Sequence, residues 1–227
     1  EKNLCEIQHI IKIATARFKP INQNQKQTLL RFMSHDSLLA DTTYFANSIP
    51  TIATMPEALF TKILTNNSLT DKERHLAMNF YNILRNNISK STAHHIYFKN
   101  DIIEHAHNNE IIYYELTNFL EKKIAATPKD YLQHLKTTAI TLDTLPNYSI
   151  SLLDRNSIPS KYSLTYLKKN MWCYQSPSNE ISPILFSNEP HIISNIQMEF
   201  DHYLAYSFPA EKKDTANWLM EFIKTHL

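Results

Sequence analysis

Residues 146–186 read PNYSISLLDRNSIPSKYSLTYLKKNMWCYQSPSNEISPILF. Here the three- and four-residue recurrence of apolar side chains that runs through most of the chain gives way to short segments rich in Ile, Leu and Tyr. Each is bracketed by Asn, Ser or Pro, and that length and punctuation predict strands at Ser149 to Leu153, Tyr162 to Lys168, Met171 to Gln175 and Ser182 to Phe186. Three or four antiparallel strands are the expectation. Pro190 suits the first turn of a helix, and Ile192, Ile193, Ile196, Phe200, Tyr203 and Leu204 then form a stripe able to cover such a sheet. A last helix, from about Ala210 to His226, carries Trp218, Leu219, Phe222 and Ile223.

Upstream the period is helical. Leu4, Ile7, Ile11, Ala14 and Phe18 predict a helix over 3–18 that ends before Pro20, and a less regular one covers 24–40. Thr54 with Glu57 has the capping-box spacing ahead of a short helix to Asn66. Thr70 with Glu73 repeats it ahead of Leu76, Ala77, Phe80, Leu84 and Ile88. A polar, histidine-rich stretch from Ser89 to Asn109 holds one helix through Ile102 and Ile103. Asn109 to Ala125 predicts a helix with Ile112, Leu116, Phe119 and Leu120 on one side. Thr127 caps another with Pro128 at its first position, and Leu145–Pro146 stops it. The expected fold class is therefore α+β and mostly helical. A helical domain of six to seven helices spans 1–145, and a small α/β domain spans 146–227, or the two form one continuous unit.

The chain of 227 residues is long enough to bury a substantial core. Lys and Arg number 23 against 22 Asp and Glu, so no net field steers it toward nucleic acid or an anionic membrane. The two cysteines, Cys5 and Cys173, make no metal-spaced pair, which fits a reducing cytoplasm. No apolar run approaches the roughly 20 residues that span a bilayer, and the opening residues do not read as a signal peptide. Glycine is absent, and so is valine. The phosphate-cradling loops that need glycine, namely the Walker loop, the dinucleotide fingerprint and the kinase loop, are thereby excluded. Helix ends must then use other residues, and Asn66–Asn67, Asn86–Asn87 and Asn108–Asn109 are placed to supply them, since Asn tolerates the left-handed conformation best after glycine.

Two sets of residues could carry chemistry. On a helix, Glu104 and His107 share a face, and this spacing is how di-iron carboxylate bundles present two ligands to one metal; Glu6 with His9 and Glu199 with His202 repeat it. That reading implies iron or manganese, with Glu73 and Glu115 as available further carboxylates, whereas solvated helix faces account for the same residues without a metal. The second set is a seam where the strand segments meet the helical part. Asp154 and Arg155 end one strand, and Tyr162 and Trp172 belong to others, so together they could line a ligand pocket; turn formation and core aromatics are the ordinary alternative. Cys173, beside Trp172, reads as a buried structural thiol.

The runs SLLDRNSIPSKYSL (151–164), MWCYQ (171–175), ILFSN (184–188) and MEFDHY (198–203) together resemble the C-terminal part of effector or oligomerisation regions in Gram-positive helix-turn-helix transcription regulators. There a strand–strand–helix unit follows a helical region. The resemblance covers about 60 residues and implies a regulatory sensor domain without chemistry of its own. Such a domain would homodimerise, bind a small-molecule or peptide effector, need no cofactor, stay in the cytoplasm away from membranes, and reach DNA only through a domain outside these residues. No helix-turn-helix is evident in 1–100. The other readings are a helical metal-dependent oxidoreductase built on the Glu/His pairs and a bacterial effector or immunity-type interaction protein.

Overall fold

The computed structural model describes residues 43–47, 49–154, 164–168, 171–175, 185–187, 189–206 and 212–226; side chains are described for 49–154 and for most of the last two helices. The helices expected over 3–18 and 24–40 lie outside these residues. The fold is α+β, with helix predominating.

Strand β1 (Thr43–Asn47) leads through a 3-10 turn (Ile52–Thr54) into helices α1 (Glu57–Asn66) and α2 (Asp71–Lys90). Strand β2 (Ala93–Phe98) and helix α3 (Lys99–His107) follow, then α4 (Tyr114–Leu120) between the two short strands β3 (Ile111–Ile112) and β4 (Ala125–Ala126), and then α5 (Pro128–Thr144). Strands β5 (Tyr148–Leu153), β6 (Leu164–Lys168), β7 (Met171–Gln175) and β8 (Leu185–Ser187) precede α6 (Pro190–Tyr206) and α7 (Lys212–His226).

Local chemistry sets most of these ends. At α2 the capping box closes as expected: Thr70 Oγ1 accepts from Glu73 N at 3.3 Å, and Thr70 N donates to the Glu73 carboxylate at 2.6 Å. At α5, Thr127 Oγ1 accepts from Asp130 N at 3.2 Å, with Pro128 at the first helical position. Thr54 does not cap α1, which begins after Pro56 without a side-chain cap; its hydroxyl is drawn into the interior, onto Thr51 O at 3.0 Å. The helix expected over 109–125 is broken in two places, because Ile111–Ile112 pairs with Ala125–Ala126 across α4. The Asn pairs follow their expected role in part. Asn66–Asn67 and Asn108 close α1 and α3, each with φ well inside the negative region, whereas Asn86–Asn87 lies within α2. Among the described residues the left-handed position falls to Glu121 instead, with φ of 57°. Without a glycine to take it, the position costs of order 1 kcal/mol. The Glu121 and Lys122 amides both reach Thr117 O in return.

The main sheet has six strands in the order β5-β2-β1-β6-β7-β8. Strands β6, β7 and β8 are antiparallel neighbours, as their texture predicts. Strand β5 is not beside β6: it runs parallel to β2, which runs parallel to β1, and β1 joins the antiparallel part through β6. The sheet therefore draws one strand from the histidine-rich stretch and another from the segment before Ile49, so it is larger than the cassette after Pro146 and only partly antiparallel. Parallel pairing is possible here because long helical crossovers separate β1, β2 and β5.

Alternation along β2 and β5 assigns two faces. Ala93, His95 and Tyr97, with Tyr148, Ile150 and Leu152, turn toward the main core, built with Leu59, Phe60, Phe80, Tyr81, Leu116, Phe119, Leu135 and Leu219 from α1, α2, α4, α5 and α7. Stacked pairs stiffen this core, Phe60 on Tyr81 at 4.4 Å and Phe80 on Phe119 at 4.1 Å between centroids. The opposite face presents Ile96, Phe98 and Leu153 to Phe200 and Tyr203 of α6, in a second and smaller cluster. Among the described residues no helix is long and apolar enough to cross a membrane.

Candidate functional site

The three parallel strands end on one edge of the sheet. Their register pairs Asn47 with Tyr97 and Phe98 with Leu153, so the residues that follow, 49–54, 99–101 and 154, converge there. Crevices at the carboxyl ends of parallel strands are the usual ligand position in open α/β sheets. At this edge Asn100 Nδ2 donates to Asp154 Oδ1 at 3.2 Å, with Asp154 half-buried. Lys99 lies 5.3 Å from the Trp218 ring centroid, which ties the same edge to α7.

Asp154 thus falls at the end of its strand, as its own segment predicts, beside an asparagine that sequence reasoning did not single out. Arg155 and Tyr162 lie outside the described residues. Trp172 is the second residue of β7, its backbone opposite Leu167 and Ser187. The side chains of that strand, Cys173 included, are outside the description, as is Cys5.

Beneath the edge lies a hydrogen-bonded polar group sealed in the main core. The Glu115 carboxylate accepts from Thr51 Oγ1 at 3.0 and 3.1 Å and from Ile52 N at 2.9 Å, which fixes the turn after β1. Thr51 N donates to Tyr97 Oη at 3.3 Å. The Tyr97 and Tyr148 hydroxyls converge on Nδ1 of His95 at 2.8 and 3.0 Å. From the other side, His134 Nε2 lies 3.0 Å from Thr51 O. A carbonyl only accepts, so Nε2 carries the proton and Nδ1 accepts from Tyr113 Oη at 2.9 Å. Thr54 Oγ1 bridges His134 Nε2 at 3.0 Å and Thr138 Oγ1 at 2.8 Å.

Every member of this group is buried, and burial governs its protonation. It pushes the Glu115 carboxyl up to about 7, against the bonds from Ile52 and Thr51 that favour the ionised form. It holds His95 and His134 down at about 3, so both imidazoles are neutral at physiological pH. Enclosed, hydrogen-bonded side chains inside the core make this group a support for the edge above it. One sequence signal marks it: Glu115 and His134 interrupt the apolar stripes of their helices, Glu115 among Leu116 and Phe119, His134 among Tyr131, Leu135 and Ala139.

Glu104 and His107, the metal pair of the alternative reading, are both exposed on α3. The further carboxylates named for that reading are engaged elsewhere, Glu73 in the α2 cap and with Lys122 at 3.3 Å, Glu115 with Thr51 and Ile52. Among the described residues no group of three or more His, Cys, Asp and Glu side chains could hold a metal ion. Glu6, His9 and the Glu199 side chain lie outside those described. His107 does meet another histidine, its ring centroid 5.1 Å from that of His226 on α7.

No family model, curated protein or solved structure matches the chain, so its functional reading rests on its own residues.

Proposed function

We propose that the chain is a non-enzymatic sensor domain that binds a small polar molecule or peptide at the carboxyl edge of β1, β2 and β5. One observation carries the reading: three parallel strands bring Asn100 and Asp154 together at that edge, over a turn held in place from below by Glu115. A carboxylate and an amide carbonyl supply acceptors to an amine or hydroxyl. The resemblance of 151–203 to regulator effector regions supports placing such a sensor in a homodimeric transcription regulator, with DNA reached through a separate domain.

The test is a thermal-shift screen of amine- and hydroxyl-bearing metabolites and short peptides, paired with light scattering after size exclusion. A dimer is expected, together with at least one compound whose stabilisation is lost in both Asp154→Ala and Asn100→Ala. A monomer that no compound stabilises contradicts the reading.

A further inference from the structure

Helices α3 and α7 end at the same place. His107 is the last residue of α3 and His226 the last of α7, and their ring centroids are 5.1 Å apart at an interplanar angle of 66°. Two like imidazoles set side by side are an unusual way to close a helix contact, since protonating both would set cation against cation.

Three features of the pair favour a metal ion over a bare contact. The first is its tautomer. His226 Nδ1 lies 2.8 Å from Phe222 O, a carbonyl that can only accept, so Nδ1 carries the proton and Nε2 keeps its lone pair. A ligating histidine typically has this arrangement, with the far ring nitrogen donating to a backbone carbonyl. The second is spacing. Two imidazoles bound to one tetrahedral ion at about 2.1 Å have ring centres about 5 Å apart, which the observed separation matches. The third is the field. Each histidine stands at the carboxyl end of its helix, where unpaired carbonyls leave partial negative charge, and two such ends converging favour a cation between them.

We infer that His107 and His226 form a two-imidazole site for a borderline divalent transition metal of the zinc and nickel class, which ties α7 to α3. Imidazole suits these ions, and water would complete the coordination. Glu104, one turn earlier on α3 and exposed, faces solvent beside the site, so the helix pairing differs from the Glu-x-x-His arrangement of di-iron bundles. Occupancy would also fix the helix that carries Trp218, against which Lys99 of the proposed binding edge rests.

Protein stripped of metal and returned to chelator-free buffer near pH 7.5 is titrated with zinc chloride by calorimetry, beside a His107→Gln/His226→Gln double variant and each single variant. The wild type should bind one equivalent more than the double variant, and each single change should weaken that equivalent by about tenfold or more. The same stoichiometry and affinity in wild type and double variant, or no binding to either, overturns the inference. A second measurement needs no variant to fold. Substoichiometric nickel added to the wild type should broaden the His107 and His226 ring resonances before those of the other histidines, and their remaining sharp overturns it as well.

Discussion

His94 and His95 are neighbours on β2 and face opposite ways. His95 is enclosed, its Nδ1 met by two tyrosine hydroxyls beneath the helices of the main core. His94 is half-buried on the face that α6 covers, its Nδ1 2.5 Å from Ser149 Oγ. Burial lowers the pKa of both, with the Lys212 charge adding to the effect at His94 and the His94 charge at His95, which is held down at about 3. One residue type on one strand thus has two environments, decided by which face carries the helices. The enclosed face can hold a polar group rigid because Glu115, His95 and His134 each find partners there, whereas His94 on the other face is only half-buried.

The largest effect that probes this difference is a cavity on each face. Phe119→Ala in the main core should cost about 5 kcal/mol in urea unfolding, and Phe200→Ala under α6 nearer 3 kcal/mol, since the smaller cluster can collapse around the gap. The reverse order would break the comparison.

Next in size is the pH dependence of Glu115. Its folded-state value of about 7 stands above its ordinary 4.5, so the fold favours the protonated carboxyl. That contribution, of order 3 kcal/mol, is complete below about 4.5 and is lost as pH rises through about 7. His95 and His134 have the opposite sign: depressed from 6.5 to about 3, they contribute stability above 6.5 that is lost as pH falls toward 3. Taken together, urea midpoints should rise to near pH 6.5 and then decline, and Glu115→Gln should remove the decline. A variant that keeps it would show that the carboxyl is not enclosed.

A smaller change sharpens the contrast from the open side. His94→Ala gives up the bond to Ser149 on a half-buried margin and should cost about 1 kcal/mol. The smallest change is Tyr131→Phe. Among the described residues the buried Tyr131 hydroxyl finds no hydrogen-bond partner, so removing it should leave stability equal or higher by about 1 kcal/mol in a thermal melt. A loss would mean that the hydroxyl is bonded after all.

The sequence foretold these features unevenly, for physical reasons. Helices with a capping residue and an apolar stripe, such as Asp71–Lys90 and Pro128–Thr144, are legible from local chemistry alone, as is Pro190–Tyr206 from its opening proline and apolar spacing. Strand β2 is not, because His94-His95 interrupts its apolar alternation and the partners of those histidines on β5, Tyr148 and Ser149, lie over fifty residues away. The parallel pairing of β5 with β2 is likewise a long-range fact, invisible in the short segment that marks β5 as a strand. Asp154 could be placed at a strand end from its own segment, while Asn100, its partner, could be found only through the fold. The Thr54–Glu57 spacing promised a cap, and the demand of His134 and Thr138 for a buried partner overrode it.

The most direct measurement is a histidine titration by NMR, with assignments from single His→Gln variants. The enclosed-face account predicts that His95 and His134 stay neutral from pH 8 to about 4.5, with His94 gaining its proton below the ordinary histidine value. Titration of His95 or His134 near the ordinary value of about 6.5 would contradict it, because it would place water where the structure places tyrosine and threonine.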